Sequence, residues 1–201
     1  MSSIVIAGNT SGAITIAAPA EAGLNTLTLP ASTGTVALTS DIPAPVTAVQ
    51  THLTTTSSQS NTANVRTNIS GLNATITPST TSKRIKITIR WNGEYSSTIN
   101  HDTVFGIKRD TTDIGNPAAD GSRSVGMAIV AMGYWSADAD STAESAMYIY
   151  IDSPATTSAT TYHATLMQRI TGTLYNQRTV ADSSGAGYER LTSNIILEEI
   201  D

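Results

Sequence analysis

Residues 85–91 read Ile85-Lys86-Ile87-Thr88-Ile89-Arg90-Trp91, and this stretch decides the fold. Apolar side chains take the odd positions and polar ones the even positions. A period of two puts the first set on one face of a β-strand and the second on the other. A helix would scatter the same residues around its circumference. One face is therefore expected in a core and the other against water or a neighbour.

The same pattern recurs on both sides of this strand. Leu72, Ala74 and Ile76 alternate and stop at Pro78. Further strands are expected over 103–109, 124–135, 146–151, 161–169, 172–178 and 192–199. Turns are expected at Asn92-Gly93, Asp113-Ile114-Gly115, Asp152-Ser153-Pro154 and Ser184-Gly185. About eight strands in one block fit an antiparallel β-sandwich, jelly-roll-like in architecture. We therefore expect an all-β protein whose C-terminal sandwich domain spans residues 69–201.

Upstream lies a different kind of chain. Residues 1–42 form a string of short alternating segments separated by Gly, Asn and Pro, with no Lys or Arg before Arg66. The apolar positions are Ile4, Ile6, Ile14, Ile16, Leu27, Leu29, Val36 and Leu38. They run in single file, too sparse to enclose a core, and leave strand edges open. Two arrangements answer that deficit: a trimer burying the stripe along a threefold axis, or a hairpin stack docked on the rest of the chain. The eight residues are the candidate assembly positions.

Ile42-Pro43-Ala44-Pro45 makes a stiff joint into a polar connector, residues 43–68. Val46, Val49, Leu53, Thr56, Ser60 and Ala63 recur at spacings of three and four, as in a short coiled stem. The run Thr54-Thr55-Thr56-Ser57-Ser58 has poor helix propensity, so an extended linker stands as the alternative.

Composition narrows the function classes. The chain has 201 residues and a net charge of −5, and only 13% of its residues are charged. More than a quarter are Ser or Thr, the latter a strand-favouring β-branched residue. A nucleic-acid binder would carry a basic stripe; here the densest basic group is Lys83, Arg84, Lys86 and Arg90, read as a solvated face or an intersubunit contact. Cysteine is absent, which removes disulfides, thiolate metal sites and cysteine nucleophiles. No basic region precedes an apolar one, so no signal peptide is expected. No apolar run approaches the roughly 18 residues of a membrane-spanning helix.

Several segments resemble the tail-fibre-like virion structural proteins of tailed bacteriophages, many of them from marine phages. In the first part these are Ile4–Ile6, Gly12-Ala13-Ile14-Thr15-Ile16-Ala17-Ala18-Pro19, Asn25-Thr26-Leu27-Thr28-Leu29-Pro30 and Gly34-Thr35-Val36. In the distal block they are Gly71-Leu72-Asn73-Ala74-Thr75-Ile76-Thr77-Pro78, Asp152-Ser153-Pro154, Gly172-Thr173-Leu174-Tyr175-Asn176-Gln177-Arg178 and Ser193-Asn194-Ile195-Ile196-Leu197-Glu198-Glu199-Ile200. The resemblance implies a homotrimer on the virion, tail or head surface. Residues 1–42 would be its attachment region, binding other virion proteins, and the distal domain would face a host-surface glycan or protein. A short tail fibre or fibre tip is the first form implied; a head fibre, capsid decoration or tail adaptor without a receptor role is the second.

No catalytic constellation stands out, and no cofactor or metal is expected. The three histidines, His52, His101 and His163, are far apart in sequence and lack a metal-ligand motif. Asp138, Asp140 and Glu144 read as a solvated acidic loop, without the spacing of a calcium-binding loop. Glycoside hydrolysis needs two carboxyl groups at a set separation; Asp110 with Asp113, or Glu94 with Asp102, qualify on paper, but no motif supports them. Tyr134 and Trp135 are the candidate surface-binding residues, an aromatic pair before the acidic loop that suits a sugar-binding platform, with a core or trimer-interface role the more ordinary alternative. Met147, Ile149 and Ile151 oppose Tyr148 and Tyr150 on one strand, as expected between a core and a subunit contact. Arg178, Glu189 and Arg190 are expected in intersubunit pairs.

Overall fold

The computed structural model describes residues 3–7, 13–17, 47–95, 103–118, 121–130 and 141–201. The chain divides into two compact units, Met1–Ala44 and Pro45–Asp201. In the first, β1 (Ser3–Ala7) and β2 (Ala13–Ala17) form an antiparallel hairpin that pairs Ile4 with Ile16 and Ile6 with Ile14. Leu27, Leu29, Val36 and Leu38 lie outside the described residues.

The second unit is all-β, with strands β3 (Ala48–Leu53), β4 (Ser57–Asn61), β5 (Thr67–Ile76), β6 (Arg84–Tyr95), β7 (Val104–Arg109), β8 (Thr112–Ile114), β9 (Ala128–Ile129), β10 (Glu144–Asp152), β11 (Thr160–Met167), β12 (Gly172–Asn176) and β13 (Ser193–Ile200). They form two antiparallel sheets. One has the order β3-β13-β6-β12-β4, with β10 also on β6; the other has β5-β11-β7-β8, with β9 also on β7.

β6, which contains the opening stretch, organises the first sheet. One of its sides carries β10, from Ile85 opposite Asp152 to Gly93 opposite Glu144. The other carries β13 along residues 84–90 and then β12 along 93–95. Ile85, Ile87, Ile89 and Trp91 are all fully buried, as the alternation predicts. Burying each isoleucine contributes about 1.5–3 kcal/mol. The two sheets share one apolar core: Leu72, Ile76, Phe105, Ile107, Tyr162 and Leu166 from one meet Ile87, Trp91, Tyr148, Leu174, Ile195 and Leu197 from the other. On the outer face Lys86 pairs with Glu198 at 2.7 Å, and Arg90 donates to the Thr192 hydroxyl. That basic face is therefore satisfied within the chain.

The stretch expected as a connector is neither a helical stem nor a linker. β3 pairs with β13 and β4 with β12, so both belong to the first sheet. Val49 and Leu53 pack against the core. They are four residues apart, a spacing that shares a face in a strand as well as in a helix. Thr51 between them and Thr54 just beyond suit the pleated strand and disfavour the helix.

Two expected turns are also corrected. Residues 113–114 belong to β8, and the reversal comes earlier, at Asp110, whose φ is 52°. β6 runs straight through Asn92-Gly93. Gly93 serves close approach instead: a Cβ there would lie 2.1 Å from the Tyr175 carbonyl oxygen and 2.7 Å from the Trp91 ring. A backbone atom cannot swing away from such a clash. Gly93→Ala should therefore cost about 2–3 kcal/mol, read as a lower urea midpoint. An unchanged midpoint would show that β12 can part from β6 freely.

Candidate functional site

An open cleft of about 910 Å³ lies at one end of the second sheet, lined by Asn64, Val104, Gly121, Ser122, Arg123, Ser124, Met167 and Arg169. Its floor follows from strand register, because Val104 of β7 sits opposite Met167 of β11. Asn64 takes a left-handed turn (φ 59°), and its N–H donates to the Gln168 carbonyl at 2.7 Å. The Arg169 N–H donates to the Gln168 side-chain oxygen at 2.7 Å. Residues 121–124 form the opposite wall.

Arg66 holds the segment behind that wall. Its guanidinium donates to the Val125 carbonyl and to the Thr165 hydroxyl (3.1 Å), and lies 3.5 Å from the Asp113 carboxylate. Met127 N–H bonds to the Phe105 carbonyl at 2.7 Å. Burial lowers the Arg66 pKa, opposed by the negative charge of Asp113; an arginine nonetheless stays charged at any ordinary pH. Arg66→Met should lose about 2 kcal/mol and speed tryptic cleavage after Arg123. An unchanged cleavage rate would remove Arg66 from the support of this wall.

The cleft presents two guanidinium groups, two hydroxyls and an amide over an apolar floor. Such a set can hydrogen-bond a polar or anionic ligand group. No carboxylate or imidazole lines it among the described residues.

The remaining expected site residues are dispersed. Tyr134, Trp135, His101, Asp102, Asp138 and Asp140 lie outside the described residues. Of the assembly positions, Ile4, Ile6, Ile14 and Ile16 are brought into backbone register by the hairpin. His52 is exposed on β3. His163 lies opposite Lys108, and its pKa is lowered, first by burial, with Asp110 opposing and Lys108 reinforcing. Glu144 is not in a solvated loop; it is buried at the start of β10. Asp110 accepts from the Thr161 N–H, Asp113 faces Arg66, and Glu94 accepts from the Val180 N–H at 2.6 Å. Each of these carboxylates thus has a structural partner. Arg178 lies over the Tyr175 ring at 4.2 Å and donates to the carbonyls of Thr179 and Val180, while Arg190 pairs with Asp182. Those arginine contacts are within the chain. Among the described residues no group of three His, Cys, Asp or Glu is placed to hold a metal ion.

Sequence reasoning missed the cleft because its residues come from four separate segments. Ser122, Arg123 and Ser124 beside Gly121 carry no motif, and only the pairing of β9 with β7, which itself pairs with β11, brings them to Met167 and Arg169. No family model matches the chain, and no curated protein matches it.

Proposed function

We propose that this chain is a noncatalytic structural protein of a tailed-phage particle, a short trimeric tail fibre or fibre-tip component that takes part in host attachment. The observation that carries the reading is the division into two unequal units. The second has its own two-sheet core. In the first, the described strands form only a two-stranded hairpin, an element marginal in water without partners. A part that needs neighbours, joined to one that stands alone, is the design of an attachment region carrying a displayed domain. The chain crosses between the sheets at β4–β5, β5–β6, β6–β7, β9–β10, β10–β11 and β11–β12, which supports a jelly-roll-like sandwich. The polar cleft is the surface offered to a host glycan or protein.

Mass in solution tests the assembly part: a trimer at micromolar concentration is expected, and a stable monomer would sink it. Replacing Ile14 and Ile16 with Asp should lower that mass while leaving the melting of residues 69–201 within the full chain nearly unchanged, because charge is expelled from a packed seam. Equal loss in both units would contradict the modular reading. Adsorption to host cells tests the attachment part. Copies mapped to capsid faces or vertices would instead favour a head fibre or decoration protein.

A further inference from the structure

β10 carries an unusual surface for a sheet margin. Among the described residues it pairs only with β6, so no strand is hydrogen-bonded to the groups along its other side. Its outward side chains are Met147, Ile149 and Ile151, exposed at 62%, 53% and 45%. They make up three of the five large apolar side chains exposed among the described residues. A fourth, Ile129 at 65%, is on β9, which lies against β10.

Sheet margins are ordinarily blunted by Lys, Pro or a bulge. β10 has none of these. Its register with β6 is unbroken over nine residues, and its only charges are Glu144 and Asp152 at the two ends. A regular, apolar, unblunted edge is a template for another strand.

The sequence of β10 also selects its partner. We propose that β10 pairs antiparallel with β10 of a second copy about a twofold axis at Ile149, joining the two β10-containing sheets into one. Residues opposite one another in a sheet share a face, so an outward position must meet an outward position. Centring on Ile149 sets Ile149 opposite the partner's Ile149, and Met147 opposite the partner's Ile151. All three apolar residues then find apolar partners. Asp152 falls opposite the partner's Ala146, so no like charges meet. Centring on Tyr148 instead would set Glu144 opposite the partner's Asp152, which is unfavourable. Centring on Tyr150 would leave Met147 against Ser153. The contact goes beyond the threefold reading: in a trimer it would join one assembly to another through the distal domains.

The absence of cysteine makes the register directly measurable. Cross-strand neighbours come within the Cα separation a disulfide spans, while positions four residues out of register do not. In the full chain, Ile149→Cys should form a disulfide-linked pair under mild oxidation. Met147→Cys and Ile151→Cys should each fail alone and link when mixed. Linkage at Ile149→Cys no faster than at Ser158→Cys, an exposed control site, would overturn the proposal. Equal self-linkage at all three positions would also overturn it, by showing parallel strands around an axis. As a check independent of cysteine, Ile149→Asp should halve the solution mass with an unchanged thermal transition; an unchanged mass would again overturn the contact.

Discussion

Trp91→Ala is expected to destabilise the second unit by about 4 kcal/mol. Trp91 is fully buried on β6, and its ring centroid lies 5.0 Å from that of Phe105 on the facing sheet. Truncation would open a cavity where the two sheets meet, and β12 crosses β6 beside it at Gly93, leaving little freedom to collapse. The indole N–H also donates to the Asn176 side-chain oxygen at 2.8 Å, and the Asn176 amide donates to the Ser57 hydroxyl at 3.2 Å. Trp91 thus ties β6, β12 and the start of β4 together. Trp91→Phe separates the two contributions: it keeps most of the packing but leaves a buried acceptor unpaired, at about 1–2 kcal/mol. Urea unfolding followed by far-ultraviolet circular dichroism measures both. A loss below about 1 kcal/mol for the alanine variant would contradict a core centred on this residue.

Asp152→Ala should cost about 3 kcal/mol. The Asp152 carboxylate closes the far end of β10. It accepts from the Tyr162 hydroxyl at 2.7 Å and from Arg109 Nη1 at 3.0 and 3.1 Å. Tyr162 is wholly buried, whereas the Arg109 side chain is about a third exposed and screened by solvent. The tyrosine bond therefore carries most of the effect. A double-mutant cycle with Tyr162→Phe should return a coupling of about 1 kcal/mol or more; additive losses would show that the bond contributes nothing of its own.

The same contact sets an alkaline limit. Burial, then the hydrogen bond and charge of Asp152, hold the Tyr162 pKa far above its usual value. Burial does the same for Tyr148, whose hydroxyl donates to the Gly106 carbonyl at 2.9 Å. The folded state keeps protons that the unfolded state releases near pH 10. Stability from these groups is thus intact below about pH 10 and declines as pH rises above it. Absorbance at alkaline pH should show both tyrosines ionising only with unfolding.

Strand by strand, legibility followed burial. β6, β7, β10, β11, β12 and β13 were readable because a core on one face imposes period two on their sequences. β3 and β4 were not. They have few apolar residues, and the Val49–Leu53 spacing fits a strand or a helix until β13 is seen beside it. Asn92-Gly93 looked like a turn because glycine usually marks one; only the closeness of the Tyr175 carbonyl explains a glycine inside a strand.

What the sequence by itself determined is the β character of the chain and the inward set on its main strands, since side-chain alternation is a local property of the backbone. Only the tertiary structure decided which strands are neighbours. It closed Asp152 onto Tyr162 and Arg109, drew the cleft from four distant segments, and left β10 at a margin among the described residues, with its apolar side outward. Those outcomes depend on pairings between residues far apart in the chain, and local periodicity carries no record of them.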